Sequence, residues 1–192
     1  NGTPCLPREQ NDCQKSIICS RSFEHEITSP EELRKILAEF TDSACQRLRK
    51  QNSEARGIIT YICTNRFNPA QPFYQNSSLT ALQEATALTS KFLKAMEQGL
   101  KQIFRPGLSY KRAGITLTDI NAANSGQQNF FDNTAARQKE QQLMQTVDEL
   151  NRRLGKKTIR FGSQTAGVSH FTRRDHKSRS YTTSWKELLS VR

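Results

Sequence analysis

The stretch from Thr28 to Leu48 constrains this chain most. Thr28 and Ser29 offer a capping hydroxyl, Pro30 suits a first helical turn, and Glu31 and Glu32 set carboxylates against the positive end of a helix dipole. Leu33, Ile36, Leu37, Phe40, Ala44 and Leu48 then recur at three- and four-residue spacing. They form one apolar stripe, while Arg34, Lys35, Glu39, Arg47, Arg49 and Lys50 are left for solvent. A helix with such a stripe must bury it against a second layer, so its neighbours in sequence decide the fold.

Those neighbours read as strands. Lys15 to Phe23 (KSIICSRSF) is short, mixes apolar with polar side chains and has few strong helix formers. Arg56 to Phe67 is rich in β-branched and aromatic residues, as a largely buried strand requires, and Asn68 to Pro72 ends it. Ser77 to Glu84 alternates weakly and returns as the second arm of a hairpin. Thr89 or Ser90 can cap a second helix carrying Phe92, Leu93, Met96, Leu100, Ile103 and Phe104, which Pro106 and Gly107 stop. Tyr110 to Ile120 closes the unit as a strand, with Ala113, Ile115 and Leu117 on one face and Tyr110, Arg112, Thr116 and Thr118 on the other. The order βαββαβ over residues 14 to 121 predicts an α+β fold: a four-stranded antiparallel sheet, two helices on one face, and the other face free to bind.

The ends are different. Residues 1 to 13, with Pro4 and Pro7, read as a tether entering the domain, and the absence of an initiator methionine leads us to expect an internal part of a longer protein. Residues 122 to 133 read as a flexible connector. Residues 134 to 192 form a C-terminal extension: a helix over Ala135 to Leu154 with Leu143, Val147, Leu150 and Leu154 at helical spacing, a short strand at Thr158 to Phe161, and a polar, basic stretch from 163 to 184 expected to order on a partner. The net charge is +11, of which residues 127 to 192 contribute +7, so a polyanionic partner is expected. A generic solvated basic surface fits the same charge. No apolar stretch approaches the roughly 18 residues of a membrane span. Cys5, Cys13, Cys19, Cys45 and Cys63 are odd in number and contain no C-x-x-C pair, which favours reduced thiols and a cytoplasmic setting. His25, His170 and His176 lack metal-ligand spacing with any of them, so no metal is assigned.

Lys15 to Phe23, Tyr110 to Leu117 (YKRAGITL) and Tyr181 to Thr183 (YTT) resemble, in this order, stretches of the UmuC-like Y-family translesion DNA polymerases. The likeness covers essentially the whole chain. It implies that residues 14 to 121 are a little finger domain, which lays its sheet along primer-template DNA, and that residues 1 to 13 lead in from a thumb. The palm and its carboxylate-held Mg2+ ions would lie upstream, so this part of the chain is expected to need no cofactor and to be inert as an enzyme. A sheet face with Ser20, Ser22, Thr64, Thr116, Arg21, Arg66, Lys111 and Arg112 can donate hydrogen bonds and charge to phosphates without reading sequence, as lesion tolerance in SOS mutagenesis and DNA repair requires.

Gln127 to Asp132 (QQNFFD) is similar to the sliding-clamp peptide of bacterial polymerases, pattern Gln-Leu-x-Leu-Phe. In that reading Gln127 makes polar contacts and Phe130 and Phe131 fill a clamp pocket, each worth roughly 1.5 to 3 kcal/mol on burial. Gln128 departs from the usual leucine, and the two phenylalanines could instead pack onto their own domain. The family's partners, the processed UmuD dimer and RecA, are expected at the basic extension. Two rivals stand beside this reading. An RNA-recognition motif shares the βαββαβ plan, but needs stacking aromatics that Ser77 to Glu84 lacks. A non-catalytic adaptor would use the sheet only as a scaffold for the clamp peptide and tail.

Overall fold

The computed structural model describes residues 14–123, 134–155, 158–164 and 178–188. Its first stretch runs β1 (Ile17–Ile27), α1 (Pro30–Lys50), β2 (Ser53–Thr64), β3 (Gln75–Thr86), α2 (Thr89–Ile103) and β4 (Tyr110–Ala122). All pairings are antiparallel and the sheet order is β1-β4-β2-β3, so the last strand enters between the first two. Both helices cover the same face, which is the expected α+β architecture.

Ser29 caps α1, its Oγ accepting from the Glu32 N–H at 3.4 Å, and Pro30 opens the helix. All six residues of the apolar stripe are buried. At roughly 1.5 to 3 kcal/mol for each fully buried large side chain, that stripe outweighs any preference of the helix's polar residues. Against it pack Ile17 and Phe23 of β1, Ile58 and Ile62 of β2, Ala113, Ile115 and Leu117 of β4, and the apolar side of α2. The α2 cap differs from expectation. Leu88 is the capping residue and gives no side-chain bond, Thr86 Oγ1 accepts from its N–H, and Thr89 is already inside the helix.

Tyr110 also departs from its expected place. Register runs from Cys63 opposite Arg112 to Thr64 opposite Tyr110, so β4 spends two residues where β2 spends one. The bulge sits at Lys111 and returns Tyr110 to the helix-covered face, where it is fully buried. Its hydroxyl donates to the Arg105 carbonyl at 3.0 Å and accepts from the Arg105 N–H at 2.8 Å, while its ring meets Phe104 and Tyr74. Burial raises the phenol's pKa.

Helix α3 (Thr134–Leu154) is latched to this domain rather than separate from it. Arg49, expected in solvent, has a side chain only 11% exposed. Its guanidinium grips Asp148 of α3 at 2.6 and 2.9 Å and also donates to the Ala87 carbonyl and Thr89 Oγ1 at 3.0 Å. Burial opposes the charge, but the hydrogen bond and charge of Asp148 outweigh it and hold the Arg49 pKa above its ordinary value. Met144 and Asn151, not Leu143 and Leu154, are the inward residues of α3. Residues 158 to 161 form no strand. Instead the Asn151 side-chain amide donates to the Ile159 carbonyl at 3.1 Å and accepts from its N–H at 2.8 Å, which seats Phe161 against the core. Near the C-terminus, Trp185 opens a single 3-10 turn (Trp185–Glu187) and is 90% exposed.

Arg49→Met should release α3. Its amides should exchange hydrogen faster by one to two orders of magnitude, matching a loss of about 1.5 to 3 kcal/mol for a charged hydrogen bond, while those of β2 and β4 stay protected. In a double-mutant cycle Arg49→Met and Asp148→Asn should be strongly non-additive.

Candidate nucleic-acid interface

Strand alternation and register generate the uncovered face directly. Each β1, β4 and β2 residue facing away from the helices stands beside its Cα partners, which gives four rungs. The first is Thr118, Gly57 and Ala81; the second Ile18, Thr116, Ile59 and Leu79; the third Ser20, Gly114, Tyr61 and Ser77; the fourth Ser22, Arg112, Cys63 and Gln75.

In these rungs Arg112 is the one charged side chain, exposed and flanked by Ser22 and Cys63. Burial raises the Cys63 pKa against the opposing pull of Arg112, so the thiol stays neutral beside the guanidinium. The third rung is packed closely. A Cβ on Gly114 would lie 2.4 Å from Ser20 Cβ, 2.8 Å from the Cys19 carbonyl oxygen and 2.8 Å from Tyr61 Cε1, so the Tyr61 ring lies over the bare backbone of β4. Gly57 is filled in the same way by Thr118 Oγ1, 2.6 Å from where its Cβ would stand. The result is a surface of hydroxyls, aliphatic side chains and one ring, with the Arg112 guanidinium, the Cys63 thiol and the Gln75 amide at its fourth rung.

Of the residues singled out from the sequence, Ser20, Ser22, Arg112 and Thr116 share this face. Arg21 is exposed but pairs with buried Ala113, which puts it on the helix-covered side of edge strand β1. Thr64 is likewise on that side and buried; its Oγ1 accepts from the Tyr74 N–H at 2.8 Å and donates to the Pro72 and Tyr74 carbonyls. Lys111, at the bulge, donates to the Glu24 carbonyl at 2.8 Å. Arg66 is exposed in the β2–β3 loop, beside Phe67, itself 90% exposed. Gln127, Phe130 and Phe131 lie outside the described residues.

Sequence reasoning did not single out Ile18, Ile59, Tyr61 and Leu79. Ile59 and Tyr61 were hidden because β2 carries apolar residues on both faces, whereas the alternation of β4 from Arg112 to Thr118 was readable. The central strands β2 and β4 put Tyr61 alone of their aromatics on the open face, which is thin provision for base stacking. Among the described residues no three His, Cys, Asp or Glu side chains cluster as a metal site would require, and no helix is long and apolar enough to cross a membrane.

Residues 14–130 match the model of the impB/mucB/samB family C-terminal domain. The chain belongs to that family. Residues 141–191 match a second model, described as a domain of unknown function (DUF4113). Protein UmuC of Salmonella typhimurium (strain LT2) is 33% identical to this impB/mucB/samB chain over 192 residues, covering 100% of it and 46% of the relative. Protein ImpB of Salmonella typhimurium is 28% identical, covering 100% and 45%, and DNA polymerase IV of Acetivibrio thermocellus 28%, covering 84% and 40%. The chain thus spans a little under half the length of these relatives. Similar solved structures include an insertion ternary complex of Dbh DNA polymerase (TM-score 0.45, 14% identity, 56% of this chain and 29% of that one). Another is a complex of the β-clamp processivity factor with the little finger domain of PolIV (TM-score 0.43, 12% identity, 61% and 99%).

Gly114→Ala should destabilise the domain by about 1 to 3 kcal/mol, because backbone and a packed ring cannot both retreat. A urea titration followed by circular dichroism checks this, with a lowered midpoint at unchanged slope expected.

Proposed function

We propose that this chain is the little finger and C-terminal extension of a Y-family translesion DNA polymerase, and that its open sheet face lies along duplex DNA without reading sequence. The observation that carries the reading is the composition of that face. Arg112, Ser20, Ser22, Thr116 and Ser77 offer one cation and several hydroxyls to phosphates, spread along the sheet on sites set by strand register and not on a helix or loop that could enter a groove. Contacts of that kind position a duplex regardless of sequence, which suits an enzyme acting where base edges are damaged.

Family membership supports the same assignment, and we infer from it that the polymerase performs error-prone synthesis in the SOS response. Nucleotidyl transfer would belong to the rest of the polymerase, with Mg2+ held there, and not to these residues. We assign clamp attachment to Gln127, Phe130 and Phe131 on their sequence, and contacts with the processed UmuD dimer and RecA to the basic extension. With these assignments we infer that the protein acts in the bacterial cytoplasm.

The face is less basic than the sequence suggested, since Arg21 points to its other side, Lys111 donates to the Glu24 backbone carbonyl at the bulge, and Arg66 lies in the β2–β3 loop. Its salt dependence should therefore be shallow. Arg112→Ala is expected to weaken duplex binding equally on unrelated sequences and to reduce the slope of log K against log salt by about 0.9, one phosphate's share. Thr64→Val should leave that slope unchanged. Fluorescence anisotropy on two primer-template duplexes at several salt concentrations measures both, and sequence-selective losses would refute the reading. Separately, Phe130→Ala with Phe131→Ala should abolish sliding-clamp binding in a pull-down while duplex binding persists.

A further inference from the structure

The outer side of α3 carries a feature that DNA binding does not use. Leu143, Val147, Leu150 and Leu154 follow one another at intervals of four, three and four residues, the d-a-d-a seam of a heptad repeat. Leu143 and Leu154 are 61% and 67% exposed, and Val147 and Leu150 are half-buried. The seam cannot roll inward, because Met144, Asp148 and Asn151 on the adjoining side are held to the domain by burial, by Arg49 and by Ile159.

The flanks of the seam say what would fit it. In this register the e positions are Met144 and Asn151, both buried against the chain's own domain. The g positions are Lys139, Thr146 and Arg153, all exposed. Glu149 is the single carboxylate that binds both Arg152 and Arg153, so even fully ionised it leaves one positive charge in excess among the three. A second copy of this chain is a poor match. Parallel pairing would need e residues that are already covered, and antiparallel pairing would set Lys139 and Arg153 of one copy against the same cations of the other. We propose that α3 docks, along Leu143, Val147, Leu150 and Leu154, an amphipathic helix of another protein whose positions flanking the apolar stripe are acidic.

The test uses the full chain and two labelled synthetic peptides of equal length with leucine at a and d, one with glutamate and one with lysine at e and g. Anisotropy is read at about 0.15 M salt, where long-range attraction is screened. The glutamate peptide should bind at least about tenfold more tightly than the lysine peptide, about 1.4 kcal/mol. Leu143→Ser with Leu154→Ser, at positions too exposed to support the core, should remove that binding, and Lys139→Glu with Arg153→Glu should invert the preference. Equal binding of the two peptides, binding that survives the serine pair, or no binding at all would each overturn the proposal. So would sedimentation showing a dimer of the free chain that the serine pair dissociates, since a second copy would then occupy the seam.

Discussion

Strand β4 is hydrogen-bonded on both sides, to β1 and to β2, and everything else in the domain is positioned from it. Because side chains alternate along a strand, fixing Ala113, Ile115 and Leu117 inward under the helices also fixes Arg112, Gly114, Thr116 and Thr118 outward. A one-residue slip would exchange the two sets, exposing three aliphatics and burying a guanidinium without a partner, which is far more costly than any local preference in this sequence. The core therefore specifies the open face. The bulge at Lys111 breaks the alternation where Tyr110 must turn in to close the α2–β4 loop, and Asp119, at φ 54°, breaks it again before Ile120 packs on the core.

Much of this was legible from residue order. The α1 stripe, the sequence of six elements and the two faces of β4 follow from periodicity and capping, because burial there is decided locally. What could not be read involved partners distant in sequence or an extra residue with no compositional mark. Arg49 reads as a solvated residue after an apolar stripe, yet its carboxylate partner lies 99 residues further on. In β2, with isoleucines adjacent at 58 and 59 and apolar residues on both faces, nothing tells Ile58 from Ile59, and only pairing with β4 and β3 sends one inward and the other out. Thr64 ends that strand and looks as available to a phosphate as Thr116, but the returning loop takes its hydroxyl.

The same limit explains the extension. Helical spacing finds α3, and a hydrophobicity pattern nominates its leucines as the inward side. The helix is instead held by a carboxylate, an amide and one methionine, so its most apolar stripe is left outside. Polar anchoring of this kind fixes orientation more narrowly than a greasy contact does, since a bidentate guanidinium–carboxylate pair and a two-bond amide each tolerate little rotation.

The sole tryptophan of the sequence sits at position 185, in the short turn near the C-terminus and almost wholly in water. Its fluorescence will thus report on the extension and hardly at all on the sheet. Emission should already be red-shifted in the native protein and change little as the domain melts. Conversely, a blue shift on adding a partner would be a background-free sign that the C-terminal segment has been covered. Nature has in effect labelled the extension and left the sheet dark.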